Sequence, residues 1–74
     1  MNKLRRKSLK EAIGLLEQAQ SIIECVKDEE QEAYDNLPES IRDSDRGQTM
    51  DEIIYNLEAY LDSISDMVEG ISEM

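Results

Sequence analysis

The sequence contains no histidine and a single cysteine, Cys25. One cysteine cannot form a disulfide within the chain, and a zinc site without histidine lacks its usual ligands. An unpaired thiol suits a reducing compartment, so we expect a cytoplasmic protein. A chain of 74 residues buries only about 60% of its unfolded surface and is marginally stable alone. With disulfides and zinc excluded, a partner chain is the expected source of further stability.

Long hydrophobic runs are also missing. No apolar stretch approaches the roughly 20 residues of a membrane span. The basic N-terminus "MNKLRRKSLKEAIGLLEQ" has neither a continuous apolar core nor a small-residue cleavage site, so it does not resemble a signal peptide. We therefore expect no membrane association and a complete cytoplasmic chain.

The residues that usually carry catalysis are scarce. There is no glycine-rich phosphate loop, and no serine or cysteine has a plausible base nearby in the sequence. The carboxylates of "KDEEQEAYD", residues 27–35, are most simply a solvated helix face, and Cys25 is expected to be structural or incidental. We expect no enzyme, and no catalytic, cofactor-binding or metal-binding residues.

Charge is unevenly distributed along the chain. Residues 1–10 hold five of the eight basic side chains and no acid, a local charge of +5. The other 64 residues hold all 18 acids against Lys27, Arg42 and Arg46, a local charge of −15. A body this acidic repels nucleic acid backbones, and no aromatic residues are interleaved with the basic ones. Direct nucleic-acid binding is therefore not expected.

Two stretches repeat apolar residues in heptads, as coiled-coil helices do. The first has its a positions at Leu9, Leu16, Ile23, Glu30 and Leu37 and its d positions at Ala12, Ala19, Val26 and Ala33. The second has its a positions at Met50, Leu57, Ile64 and Ile71 and its d positions at Ile53, Tyr60, Met67 and Met74. Only one of these positions is charged, and no strand-like alternation competes. The pattern predicts two amphipathic helices.

We expect a single helical hairpin domain over residues 1–74, with a helix from about 3 to 36, a turn from about 37 to 44 and a helix from about 45 to 73. The first helix has two possible caps. Asn2 can begin it early, whereas Ser8 forms a capping box with Glu11, "SLKE". Five cations near its start oppose the helix dipole, which favours fraying of residues 1–7.

The second helix also has two possible starts. "TMDE" is a capping box at Thr49. Ser44 is the favoured start because "SDRGQTMDEI" keeps a helical rhythm, with Gly47 tolerated inside at about 1 kcal/mol. Between the helices, Pro38 can start a single turn, "PESI", that tucks Ile41 beneath it. Connections of this length join antiparallel neighbours.

If the two helices form such a hairpin, each a residue of one helix faces a d residue of the other, which predicts the register. Its layers include Ala33 with Met50, Glu30 with Ile53, Val26 with Leu57, Ala19 with Ile64 and Ala12 with Ile71. Each alanine then faces a large residue, as interdigitating layers require. The same register brings Lys7 and Lys10 beside Asp66, Glu69 and Glu73. Glu30 lies in this seam, which must either be wet there or admit an arginine, with Arg46 the nearer candidate.

Further apolar residues lie beside the a/d seam. They occupy positions e and g, and we expect them to form a self-association interface: Ile13, Leu15, Ile22, Ile54, Leu61 and Val68. An apolar face this wide suits a helix in a larger bundle. The predicted fold is therefore all-α: an antiparallel, coiled-coil-like two-helix hairpin that dimerises into a four-helix bundle. Docking onto a different protein is the alternative.

The run "IIECVKDEEQEAYDNLPESIRDSDRGQTMDE", preceded by "RRKSLKEAIGLLEQA", resembles small acidic helical proteins of Firmicutes genomes, their phages and mobile elements. Their pattern is similar to "DEEQEAYDNLPESLQ-SERG" between two helices, and the likeness covers most of the chain. Cys25 and Thr49 depart from it, where acidic or small residues are usual. The resemblance implies a helical hairpin of mobile-element origin and brings no activity or site residue.

Composition and resemblance together favour a non-catalytic interaction and oligomerisation protein, a homodimer acting as a phage or mobile-element accessory. The alternative is an inhibitor that imitates nucleic acid and blocks a host nuclease or defence protein. The acidity favours this alternative, whereas the basic N-terminus is unusual for a mimic.

Overall fold

The computed structural model describes all 74 residues, which form three helices and no strand. Helix α1 spans Lys3–Asp35, the short α2 spans Glu39–Arg42, and α3 spans Asp45–Ser72. The two long helices pack against each other along a hairpin about 58 Å long and 15 by 13 Å across. Two contacts show that they run antiparallel: Gln20 Nε2 donates to Ser65 Oγ at 2.6 Å, and Lys27 Nζ lies 3.9 Å from Glu58 Oε1.

Helix α1 begins at Lys3 because Asn2 caps it. The side-chain oxygen Oδ1 of Asn2 accepts a hydrogen bond from the backbone N–H of Arg5 at 2.9 Å. This bond satisfies one of the free N–H groups of the first turn. Ser8 is not a cap, since its hydroxyl donates to the carbonyl of Leu4, one turn earlier. Residues 3–7 are helical in this structure, so α1 starts at the earlier of its two possible caps.

The corner between the long helices is built around Arg42. Pro38 precedes α2, and Ile41 is half-buried beneath the turn, as the sequence predicts. From the end of α2, Arg42 Nη2 donates to the carbonyls of Asp35 and Leu37, both at 3.2 Å. The Arg42 guanidinium also lies 5.8 Å from the centre of the Tyr34 ring. Arg42 therefore satisfies backbone carbonyls at and just beyond the end of α1.

Gly47 lets α3 approach this corner closely. It is buried, and a Cβ built on it would lie 2.7 Å from the Cα of Arg42 and closer still to the Arg42 carbonyl. Our expectation that Gly47 is merely tolerated is therefore wrong, because a side chain would not fit there. Helix α3 does begin after Ser44, but the Ser44 hydroxyl donates to the carbonyl of Ile41 instead of capping α3.

The residues that pack between the long helices lie at positions a and e, not a and d. On α1 they are Leu9, Ile13, Leu16, Gln20, Ile23, Lys27, Glu30 and Tyr34, and on α3 they are Gly47, Met50, Ile54, Leu57, Leu61, Ile64, Val68 and Ile71. Only Gly47, Ile54 and Ile64 are fully buried. The core of a single hairpin is therefore a narrow line of half-buried side chains.

The predicted layers at Ala19 and Ala33 are wrong. Ala19 and Ala33 are exposed, Val26 is 48% exposed, and only Ala12 among the four d positions of α1 is half-buried. Gln20 takes the place expected for Ala19, because its amide reaches the Ser65 hydroxyl while its stem lies between the helices. Lys27 replaces Val26 in the same way, with its ammonium reaching Glu58.

The expected ion pairs at either end do not form. Lys27 makes the two ion pairs of the hairpin, with Glu58 and, at 3.8 Å, with Asp28. Lys7 and Lys10 make none with the acids near the end of α3. Glu30 is half-buried without an arginine partner, and Arg46 is exposed. Of the two alternatives expected for Glu30, an arginine partner or a seam open to water, the structure has the second.

Candidate self-association surface

Exposed apolar residues form one face of the hairpin. This surface, here called the apolar face, consists of Leu15, Ala19, Ile22 and Val26 on α1, Ile53, Tyr60 and Met67 on α3, and Met74 just beyond it. All of these residues occupy positions d and g, spaced by three, four or seven residues. Each helix thus carries a second apolar stripe, next to the stripe that packs within the hairpin.

The two stripes lie on the same side of the hairpin. Antiparallel helices that pack through the same heptad positions are related by a two-fold axis perpendicular to both. Rotation about this axis moves position d of α1 onto position d of α3. A residue above the plane of the two helices stays above it, so both d positions lie on the same face of the hairpin. The stripes therefore join into one continuous face that runs along the hairpin.

The apolar face is far more exposed than core side chains are. Leu15 and Ile22 are each 66% exposed, and Tyr60 is 58% exposed. By contrast, Ile54 is 5% exposed although it is the direct neighbour of Ile53, at 43%. Monomeric proteins rarely expose large contiguous apolar patches, which usually mark an interaction surface.

The opposite side of the hairpin is acidic. Exposed carboxylates occupy positions b and f on both long helices: Glu17, Glu24, Asp28 and Asp35 on α1, and Asp51, Glu58, Asp62 and Glu69 on α3. By the same two-fold argument these positions share one side, which we call the acidic face. The hairpin is therefore apolar on one broad side and negatively charged on the other.

The six residues predicted as a self-association interface divide into two groups. Leu15 and Ile22, at position g, lie on the apolar face. The other four, at position e, lie in the seam between α1 and α3: Ile13, Ile54, Leu61 and Val68. The structure thus assigns most of the predicted interface to the inside of the hairpin, and it brings Leu15 and Ile22 together with residues that the sequence had placed in the seam.

Sequence reasoning missed Val26, Ile53, Tyr60 and Met67 as exposed residues. A signal was present on α3. After Gly47, position e holds only aliphatic side chains, whereas position d includes a tyrosine hydroxyl and flexible methionines. A tyrosine hydroxyl needs a polar partner when buried. Position e of α1 concealed this signal, because Gln20 and Lys27 are polar.

Three surface depressions lie at the open end of the hairpin, where the chain begins and ends. The one between the helices is lined by Arg6, Lys10, Ile13, Ile71 and Met74, among others. The chain has no cluster of three or more carboxylate or cysteine side chains arranged to hold a metal ion. Cys25 is exposed and unpaired. Neither long helix has a stretch apolar enough to cross a membrane.

Comparison of the chain with models of protein families, with curated proteins and with solved structures gives no match.

Proposed function

We propose that this chain is a non-catalytic self-association module whose hairpins pair through their apolar faces into a four-helix bundle. The observation that carries the proposal is the continuous apolar face. It is formed by large side chains between 43% and 66% exposed, in a hairpin with only two buried hydrophobic residues, Ile54 and Ile64.

The energetics support a second copy over an isolated hairpin. Burying a large apolar side chain contributes about 1.5–3 kcal/mol. Pairing two apolar faces covers seven such side chains in each copy, together with Ala19. A domain of this size has few other means of stabilisation, since its lone cysteine excludes an internal disulfide. Self-association therefore supplies the core that a single hairpin lacks.

The experiment compares two neighbouring residues on opposite sides of α1. Ile22 lies on the apolar face, and Ser21 lies on the acidic side at position f. Ile22→Glu and Ser21→Glu add the same charge at adjacent exposed positions. In sedimentation at micromolar concentrations, we expect dimers of the wild type and of Ser21→Glu, and dissociation of Ile22→Glu. A wild-type monomer, or equal behaviour of both variants, would overturn the proposal.

The biological role follows the resemblance noted in the sequence. We propose a cytoplasmic accessory protein of a phage or mobile element, with the bundle as its working form. The exposed, unpaired thiol of Cys25 suits a reducing compartment.

The acidic face supports a second candidate function, an inhibitor that imitates nucleic acid. Its eight carboxylates are spaced along both long helices and remain outside when the apolar faces pair. Such an inhibitor would occupy the basic groove of a nuclease or defence protein. A titration of nuclease activity with the protein tests this function. Inhibition that excess DNA relieves would support it, and inhibition unchanged by DNA, or none, would count against it.

A further inference from the structure

We infer that the two hairpins of the dimer pack with their turns at opposite ends, so that the basic arm of each copy lies beside an acidic segment of its partner. This inference rests on the proposed self-association through the apolar face. The basic arm is residues 1–10, and the acidic segment is residues 28–35 at the end of α1.

Charge is strongly graded along the 58 Å hairpin. Residues 28–52, around the turn, hold ten acids against Arg42 and Arg46, a net charge of −8. The basic arm at the open end holds five cations and no acid. None of these five cations makes an ion pair within its own hairpin. The arm is therefore free to interact with a second copy.

Two arrangements bury the apolar faces with every neighbouring helix antiparallel. If the turns lie at the same end, α1 faces α3 of the second copy, and two segments of charge −8 meet. If the turns lie at opposite ends, α1 faces α1. Each +5 arm then lies level with residues 31–40 of the partner, which include the end of the acidic segment and carry three acids and no cation. Like charges brought together destabilise an interface, whereas complementary ones fix its orientation.

The stripes are compatible with the opposite-end arrangement. The α1 stripe from Leu15 to Val26 has its midpoint between residues 20 and 21. The α3 stripe from Ile53 to Met74 has its midpoint between residues 63 and 64. These midpoints lie near the same level, because Gln20 contacts Ser65.

A single two-fold axis can therefore pass through both midpoints. It pairs the α1 stripe with the α1 stripe of the second hairpin, and the α3 stripe with the α3 stripe of the second hairpin. It sets Leu15 against Val26 and Ala19 against Ile22. On α3 it sets Tyr60 against Met67. A self-complementary patch of this kind is what a two-fold dimer requires.

Distances between spin labels distinguish the two arrangements. Ser40 is exposed in α2 at the turn, and Gln18 is exposed near the midpoint of α1. Each is replaced by cysteine in a Cys25→Ser background, labelled, and measured by pulsed electron paramagnetic resonance. With a rise of 1.5 Å per residue, the opposite-end dimer separates the two Ser40 labels by about 50 Å. The two Gln18 labels stay within about 25 Å, since their helices are neighbours near the axis.

Each outcome has a distinct meaning. A long Ser40 distance with a short Gln18 distance supports the inference. A short Ser40 distance with a longer Gln18 distance shows a dimer with its turns together, in which the two α1 helices lie diagonally; this overturns the inference and leaves the proposed function intact. No distance at either position, with a monomer in sedimentation, overturns the proposed function itself.

Charge reversal provides a second test. Arg5→Glu, Arg6→Glu and Lys7→Glu together should weaken the dimer about tenfold or more, because the reversed arm then meets the partner's acids. Adding Glu29→Lys, at position g on the side of the apolar face, and Glu32→Lys to that variant should restore the affinity in the opposite-end dimer. No restoration, in variants whose helical content matches the wild type, would contradict the predicted pairing of the two segments.

Discussion

The Cα of Arg42 lies 2.7 Å from the point where a Cβ on Gly47 would stand. The first turn of α3 thus passes the end of α2 more closely than any side chain at position 47 permits. This approach closes the corner whose other side is formed by the hydrogen bonds of Arg42 to the end of α1. The turn is therefore a closely packed unit between the two long helices.

Replacing Gly47 by alanine should destabilise the protein even though alanine is the better helix former. The added methyl group meets backbone atoms, which cannot move aside as a flexible side chain would. We expect a loss of about 2 kcal/mol or more in the free energy of unfolding, measured with urea. Gly14→Ala is the matched control, since nothing lies within 4 Å of a Cβ there. It should instead gain about 0.5–1 kcal/mol. A gain in both variants would refute the close approach.

Arg42→Lys should destabilise the corner although it keeps the charge. Lysine presents a single ammonium, which cannot reproduce both the bonds to the carbonyls of Asp35 and Leu37 and the planar contact with Tyr34. We expect a loss of about 1–2 kcal/mol in thermal or urea unfolding. The same change at the exposed Arg46 should stay within about 0.5 kcal/mol. An equally small effect at both positions would mean that the charge of Arg42, and not its shape, is what the corner needs.

Asn2→Ala should loosen the first turn of α1, because it removes the acceptor for the Arg5 N–H. The expected loss is about 0.5–2 kcal/mol in helix stability, seen as faster hydrogen exchange at the Arg5 amide. Ser8→Ala serves as the control, since the Ser8 hydroxyl donates within the helix and caps nothing. If Ser8→Ala caused the larger loss, the helix would begin at the capping box instead.

Ile54→Ala should lower the free energy of unfolding by about 2–5 kcal/mol, because Ile54 is 5% exposed between the long helices. The control is the next residue, Tyr55, which is 72% exposed at position f. Tyr55→Ala should change the stability by no more than about 0.5 kcal/mol. Urea unfolding measures both. An insensitive Ile54 would favour the a/d register over the observed a/e packing.

Added salt should raise the melting temperature. The net charge of −10 repels itself, and screening acts over about 10 Å at 0.1 M salt. If screening contributes about 1 kcal/mol, the melting temperature rises by roughly 4–8 °C between 0.01 and 0.15 M sodium chloride. Calorimetry at constant protein concentration measures this shift. A fall over the same range would show that ion pairs such as Lys27 with Glu58 outweigh the repulsion.

The helical hairpin could be predicted from the sequence because it depends on local signals. Heptad spacing indicates helices independently of the residues that pack against them. Pro38 follows Leu37 and ends the first helix, because a proline restricts the backbone of the residue before it. Pro38 and Ile41 likewise indicated the single turn of α2. The sequence alone does not decide where α1 starts, because both Asn2 and Ser8 have side chains that can cap a helix.

The choice between positions d and e was decided by the tertiary structure. Both flank position a and both carry apolar residues, so periodicity alone does not show which set packs within the hairpin. Gln20 and Lys27 make position e of α1 look solvent-facing, but Ser65 and Glu58 on α3 accept their polar ends once the helices are paired. At the turn, the missing side chain of Gly47 lets the start of α3 pass close to Arg42. The sequence determined that each helix carries two apolar stripes, and only the packing of α3 on α1 decided which stripe is covered and which remains exposed.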